Sequence, residues 1–448
     1  MYVYEIVEAT KGTLVSGNIN QDITFFSQDS RQMAQGGMYI PLKGERFDGH
    51  DFIESAFDTG ADAIISHKDV SYPDKIVIRV QDTMQALKDM AIYLREHRPV
   101  KVVGVTGSVG KTSTRDMIYS VIKQKYHTLK TEGNYNNEIG LPLTILRYVN
   151  EEVMVLEMGM NHLKEMSRLS YIARPDIACI TNVGTAHIGE LGSRENILKA
   201  KLEIVDGMKE GSSLVINDDN DMLHTVSLEN MNVIRCGHQD EDQYCLKNVV
   251  LNENDSDFDV MIDGQLEHFH LNVQGEHNVS NALIAIAIGR ALDIDVAAIQ
   301  KGLADFVLTK NRMDVINIDH GVTLIDGTYN ANVDSMISSL AVLSRYQRRK
   351  IAVLADMLEL GDYSESLHRQ VGKSVVDHHI DVLACVGKEA HYIGEEALKQ
   401  GMKEVYCFDD NEALLAFLKE ELEEKDIVLL KGSHGMHLKE IVDALMKG

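Results

Sequence analysis

The chain has 448 residues, 44% hydrophobic and 25% charged, with 69 acidic against 44 basic side chains and a formal net charge of −25. That length exceeds one hydrophobic core and suggests about three domains; the acidic excess argues against nonspecific binding to nucleic acid or an anionic membrane, which needs the opposite sign. No apolar run approaches the ~18 residues that cross a bilayer, the first residues (Met1-Tyr2-Val3-Tyr4-Glu5) lack the basic flank and apolar core of a secretory signal, and five scattered cysteines without CxxC pairing read as reduced thiols of a cytoplasmic protein.

Residues 1–97 read as a small α/β domain. Strands are expected at 38–42, 61–65 and 76–80, and a helix at 52–57. Residues 83–95 carry Met84, Leu87, Met90, Ala91 and Leu94 on one helical face, and Arg98-Pro99 marks a hinge, because the residue before proline is pushed out of the α region. Residues 98–309 then alternate strand and helix signals, as a parallel sheet requires. The apolar segment 100–103 leads into Gly104-Val105-Thr106-Gly107-Ser108-Val109-Gly110-Lys111-Thr112-Ser113-Thr114, and a helical stretch follows at 115–122. A glycine-rich turn between strand and helix points backbone N–H groups at the positive end of a helix dipole, where phosphates bind. Lys111 is placed to reach the terminal phosphates of a nucleoside triphosphate and Thr112 to hold Mg²⁺. The spacing departs from the common phosphate loop, since Val105 stands where a leading glycine is expected.

Further strands are expected at 153–156, 177–180 and 213–216. Glu157 and the run Thr181-Asn182-Val183-Gly184-Thr185-Ala186-His187 follow two of them, at the carboxyl ends where open α/β sheets bind ligands. Glu157 and His187 are thus candidate metal ligands beside Lys111. Residues 131–142, rich in asparagine (Asn134, Asn136, Asn137), read as a loop suited to a sugar or peptide. Lys201, in a helical stretch at 196–205, reads by itself as a solvated cation. Residues 232–273 break the alternation and read as an antiparallel insertion; a helix returns at 278–288, with Asn278 as its expected N-cap. Residues 310–448 begin anew as a Rossmann-like domain, with strands at 322–326, 350–354, 382–386 and 427–430.

These landmarks together resemble the Mur ligase family, nearly end to end. The resemblance rests on Asp29-Ser30-Arg31 and the run 44–53, on the phosphate loop, and on Asn134-Tyr135-Asn136-Asn137-Glu138-Ile139-Gly140. It rests also on Glu157-Met158-Gly159-Met160-Asn161, Ala200-Lys201-Leu202-Glu203, Gly275-Glu276-His277-Asn278, Tyr329-Asn330-Ala331-Asn332, Asp356-Met357-Leu358-Glu359-Leu360-Gly361 and Lys431-Gly432-Ser433. Within the family, the Tyr329 and Asp356 motifs point to the activity that joins D-alanyl-D-alanine to a UDP-linked muramoyl tripeptide.

The resemblance implies ATP-driven amide formation through an acyl phosphate, in peptidoglycan synthesis, with ATP and Mg²⁺. By match, Lys111, Glu157, His187 and Lys201 are catalytic. Gly107, Ser108, Val109, Gly110, Lys111, Thr112, Ser113, Asn137, Asn278, Arg312, Asp326, Tyr329 and Asn332 would bind ATP. Thr112, Glu157, His187 and a carbamylated Lys201 would hold metal. Ser30, Arg31 and the turn Asp48-Gly49-His50 would take the UDP-sugar in the first domain, with Asn134, Asn136, Asn330, Lys431 and Ser433 completing the substrate sites. The last domain would bring the amine and close over the second, and the expected state is a monomer without nucleic-acid or membrane partners. Three positions depart from the family pattern. Gly327 stands where an acidic residue would bind the ATP ribose, His434 replaces an arginine near the amine site, and Lys164 replaces a glycine. These leave open a sister ligase that joins another amino acid or peptide to another carboxylate, and a non-catalytic relative; a phosphate-loop ATPase or kinase is a separate alternative.

Overall fold

The structure, a computed structural model, describes residues 1–308 and 313–447. Its strands fall into three sheets. The first holds β1 (Thr13–Ser16), β2 (Phe25–Ser27), β3 (Gly37–Tyr39), β4 (Ala61–Ser66) and β5 (Ile76–Arg79), in the order β1-β5-β4-β3-β2 and parallel except for β1. The second holds β6 (Lys101–Thr106), β7 (Thr128–Lys130), β8 (Val153–Glu157), β9 (Ile177–Ile180), β10 (Ser213–Asn217), β11 (Asn232–Gly237), β12 (Tyr244–Leu251), β13 (Ser256–Ile262) and β14 (Gln265–Leu271). The third holds β15 (Asp314–Asn317), β16 (Thr323–Asp326), β17 (Lys350–Ala355), β18 (Val382–Val386), β19 (Val405–Phe408) and β20 (Ile427–Lys431), in the order β15-β16-β20-β17-β18-β19, with only β15 antiparallel.

The central order β14-β13-β12-β11-β10-β9-β6-β8-β7 places the site. Strand β6 lies between β9 and β8, all three parallel, with Val105 registered on Glu157 and Thr106 on Ile180. Three carboxyl ends therefore meet side by side, and the chain leaves β6 for the helix Lys111–Ile122 at that crevice. Near-continuous apolar runs are what a sheet covered on both faces demands, and every residue of β8 and β9 is buried. The helix Glu276–Ala291 is apolar almost all round, with Val279 and residues 282–288 buried against the phosphate-loop helix and the sheet.

Within residues 232–273 the expected antiparallel strands are β12 to β14, but they continue the central sheet and are not inserted beside it. Strand β11 pairs parallel with β10, and the antiparallel strands β12 to β14 extend the same sheet. Phe258 and Phe269 stack there at 5.7 Å inside the core shared with Val279 and Leu283. In the first domain the expected strand at 38–42 is Gly37–Tyr39, and Met84 is only half-buried while Ala86 takes the inner face of the helix Thr83–His97. That helix stops where Pro99 requires, with Arg98 in the extended region (φ −116°, ψ 137°). Arg95, also on it, donates to the Ala173, Arg174 and Val100 carbonyls and fastens the first sheet to the second. No helix among the described residues is long and apolar enough to cross a membrane.

Candidate active site

The turn after β6 is held by strand β9. Gly107 has φ +155°, and a Cβ there would lie 1.8 Å from Thr181 Oγ1, so only glycine fits. Thr181 Oγ1 donates to the Val109 carbonyl at 2.5 Å, Val109 N donates to Asn182 Oδ1 at 2.9 Å, and Gly184 N donates to Ser108 Oγ at 3.0 Å. Lys111 curls over the turn, its Nζ donating to the Gly107 carbonyl at 2.8 Å. The first turn of Lys111–Ile122 thus faces a cleft of about 660 Å³ with its N–H groups and its positive dipole end.

Glu157 closes β8 at the floor of this cleft and is 3% exposed. Its Oε2 accepts from Thr112 Oγ1 at 2.9 Å and from Arg115 Nη1 at 3.1 Å, and its Oε1 accepts from Asn136 Nδ2 at 3.0 Å. His187 follows β9 with φ +63°. Burial first, then the Lys111 and Lys201 charges, push its imidazole down to about 4, which favours the neutral ring at neutral pH. Lys201 does not behave as a solvated cation: it is 2% exposed, and burial together with Lys111 holds its ammonium well below the ordinary lysine range. A carboxylate, a hydroxyl and a neutral imidazole make a mainly oxygen donor set of the kind Mg²⁺ accepts.

The cleft wall brings together Ser108, Val109, Gly110, Lys111, Thr112, Ser113, Asn134, Asn136, Asn137, Glu157, His187, Asn278, Tyr329, Asn330, Asn332 and Lys431. Their partners refine the expectations. Asn278 is not the N-cap: Gly275 holds that place, and Asn278 Nδ2 donates to the Gln274 carbonyl at 2.8 Å. Asn137 Oδ1 accepts from Gly140 N at 2.9 Å at the start of the helix Gly140–Ile145, and Asn332 caps the helix Val333–Leu343. Lys431 Nζ donates to the Asn330 carbonyl at 3.0 Å.

Other expected residues lie off the cleft. Asp326 is fully buried: Oδ1 accepts from Thr328 N and Oγ1 at 3.0 and 2.6 Å, and Oδ2 from Lys439 Nζ at 2.9 Å. Ser433 Oγ accepts from Leu358 N at 2.9 Å and does not line the cleft. Arg312 lies outside the described residues. Ser30 and Arg31 follow β2, while Asp48, Gly49 and His50 follow β3, so they share the carboxyl edge of the first sheet. There Arg31 is exposed and paired with Asp29, Asp48 accepts from His50 N and Nδ1, and His50 Nε2 is buried without a hydrogen-bond partner among the described residues.

Asn182, Asn281 and Arg115 were not singled out from the sequence. Asn281 presses its amide on Gly110, and its signal was the three-residue step from Asn278 on one helical face. Lys164 has φ +72°, the left-handed backbone that explains a glycine preference at that position.

The third sheet docks on this end of the second. Asp334 Oδ2 accepts from Thr185 N and Oγ1 at 2.9 and 3.2 Å, Tyr363 OH donates to the Gly192 carbonyl at 2.7 Å, and Tyr329 OH donates to Asn134 Oδ1. Glu359 Oε2 lies 3.0 Å from His187 Nδ1 without the alignment of a hydrogen bond.

Residues 105–289 match the Mur ligase middle domain, 311–434 the glutamate ligase domain of Mur ligases, and 22–94 the domain described as Mur ligase family, catalytic domain. The chain belongs to the Mur ligase family. It is 39% identical to the UDP-N-acetylmuramoyl-tripeptide–D-alanyl-D-alanine ligase of Bacillus subtilis, covering 99% of this chain and 98% of the relative, and 33% identical to that of Escherichia coli with the same coverage. A crystal structure of MurF from Acinetobacter baumannii superposes with a TM-score of 0.91 at 29% identity, covering 100% of this chain and 99% of the other. The MurF ligase of Thermotoga maritima in complex with ADP superposes with a TM-score of 0.84 at 30% identity, covering 95% and 97%.

Docking of the third sheet is testable at Gly189. A Cβ there would lie 2.7 Å from the Glu359 carbonyl oxygen and 2.8 Å from Gly361 N, both backbone. Gly189→Ala is expected to loosen the interface, raise the radius of gyration in small-angle scattering and lower turnover on the order of a hundredfold, the cost of misplaced reacting groups. Unchanged scattering and turnover would contradict the role given to this contact.

Proposed function

We propose that the chain is an ATP-dependent, ADP-forming ligase that joins D-alanyl-D-alanine to UDP-N-acetylmuramoyl-tripeptide in peptidoglycan synthesis. The observation that carries this reading is the meeting of Lys111, Thr112, Glu157 and His187 in one cleft at three parallel strand ends, roofed by the third sheet. In this reading residues 1–97 hold the UDP-sugar, 98–309 hold ATP, and 310–448 bring the amine. The enzyme works in the cytoplasm, where ATP, UDP-linked sugars and reduced thiols coexist.

The chemistry follows from charge. A carboxylate must attack the γ-phosphoryl group, so two anions have to approach each other. Lys111 and the N–H groups at the start of the helix Lys111–Ile122 neutralise the phosphates, and Thr112, Glu157 and His187 would hold Mg²⁺. The cation, when bound, supplies charge neutralisation to the phosphoryl oxygens. The substrate carboxylate takes the phosphoryl group, ADP departs, and the acyl phosphate forms. The amine of D-alanyl-D-alanine then attacks the carbonyl carbon, loses a proton, and expels phosphate. Tyr329, Asn330 and Asn332 wall the cleft from the third sheet, so closure excludes water from the acyl phosphate.

Lys201 fits conversion to a carbamate. Burial and Lys111 favour the uncharged amine of Lys201, the form that attacks CO₂; it releases one proton and leaves a carbamate anion beside Lys111. Lys201→Ala is expected to abolish ligation, with partial rescue by a short carboxylic acid; full activity without rescue overturns the assignment. Gly327 gives a second test. Asp326 is fully buried off the cleft on Thr328 and Lys439, while Gly327 lines the cleft; a Cβ there would sit 3.3 Å from the Leu430 carbonyl oxygen, a tight contact relieved by a shift of a few tenths of an ångström. Gly327→Asp should lower the apparent KM for ATP; an unchanged KM places the ribose elsewhere.

The function itself is tested by offering the purified chain, with ATP, Mg²⁺ and UDP-N-acetylmuramoyl-tripeptide, a panel of amines including D-alanyl-D-alanine. ADP should form only with the amine, and mass spectrometry should find the pentapeptide product. A product with another amine alone moves the chain to a sister ligase. Amine-independent ADP release makes it an ATPase, and no nucleotide turnover makes it a non-catalytic relative.

A further inference from the structure

Arg115, on the phosphate-loop helix four residues after Lys111, plays no part in the steps above. It faces the sheet and is 3% exposed. Its Nη1 donates to Glu157 Oε2 at 3.1 Å, and its Nε and Nη2 reach Asp116 Oδ1 at 2.9 and 2.8 Å. Lys130, on β7, donates to the same Asp116 oxygen at 2.7 Å. Two cations and two carboxylates form a connected, formally neutral cluster that ends on Glu157. The cleft wall includes Thr112, Asn136 and Glu157 but not Arg115. The guanidinium therefore grips the carboxylate from behind, out of a ligand's reach.

We infer that Arg115 is a positioning residue: braced by Asp116 and Lys130, its guanidinium fixes the Glu157 carboxylate in the orientation from which it serves the divalent cation that accompanies ATP. The inference rests on the reading of Glu157 as a ligand to that cation. The other donors to Glu157 are neutral, and one of them, Thr112 Oγ1, must turn its lone pair toward the cation when it binds. That leaves the charge-assisted bond from Arg115 as the fixed point. Lysine is no substitute, because a single ammonium cannot bridge Asp116 and Glu157 as a planar fork does. A mere folding brace would alter stability without altering the metal requirement, so the two roles separate experimentally.

The test is calorimetric titration of ADP across a magnesium series, without the other substrates, for the unaltered chain, Arg115→Gln, Arg115→Lys and Asp116→Asn. The half-saturating Mg²⁺ concentration should rise about tenfold or more in Arg115→Gln, as outer-shell changes do, and less in Arg115→Lys. ADP binding without Mg²⁺ should stay within about twofold. Asp116→Asn keeps Arg115 but loosens its brace; it should shift the requirement the same way by a smaller factor, and it decides the matter if the Arg115 variants do not fold. An unchanged Mg²⁺ requirement in the folded variants overturns the inference, whatever happens to their Tm. If the unaltered chain binds ADP without regard to Mg²⁺, the metal role of Glu157 fails and the inference falls with it.

Discussion

Everything at this site depends on how closely the turn after β6 approaches the end of β9. With Thr181 Oγ1 where a Gly107 side chain would be, the turn has no room to relax, and its N–H groups and Lys111 are fixed before any nucleotide arrives. The same register that brings Thr181 alongside β6 brings Glu157 alongside it from β8. Preorganisation of this kind is what allows a cluster of dipoles and charges to act without reorganising during the reaction.

The electrostatics run against the chain's overall sign. A molecule with a net charge of −25 brings Lys111 to the cleft wall with Lys201 buried behind it, and burial together with the Lys111 charge pushes the Lys201 ammonium well below its ordinary range. Burial, before any neighbouring charge, pushes the His187 imidazole down in the same way. The roof arrives from a different sheet, through Asp334 on the Thr185 backbone and Glu359 and Gly361 on Gly189, so the segment that follows β9 carries both His187 and the docking contacts of the third sheet.

Much of this was legible in the sequence because the central strands are buried on both faces and read as apolar runs, and because a glycine turn between strand and helix has few other uses. The strands at 153–156, 177–180 and 382–386 stand where periodicity put them. What pattern could not reach was pairing. Residues 232–273 look β-like in either arrangement, and only partners tell a separate insertion from an extended sheet. The short edge strands β1, β2, β7 and β19 carry too few residues for a periodic signal. At the site, Asp326 and Ser433 carry the right chemistry but point into the third domain's own hydrogen bonds, and Arg115 reads as an ordinary helix cation until Glu157 is brought against it.

The account stands on activation of a carboxyl group by phosphorylation within the closed cleft, ahead of attack by nitrogen. Its most direct measurement uses tripeptide substrate labelled with ¹⁸O in the reacting carboxyl group and follows the label as amide product accumulates. The account predicts that one labelled oxygen appears in the released inorganic phosphate for each amide formed. Phosphate free of label, with product forming normally, would contradict it.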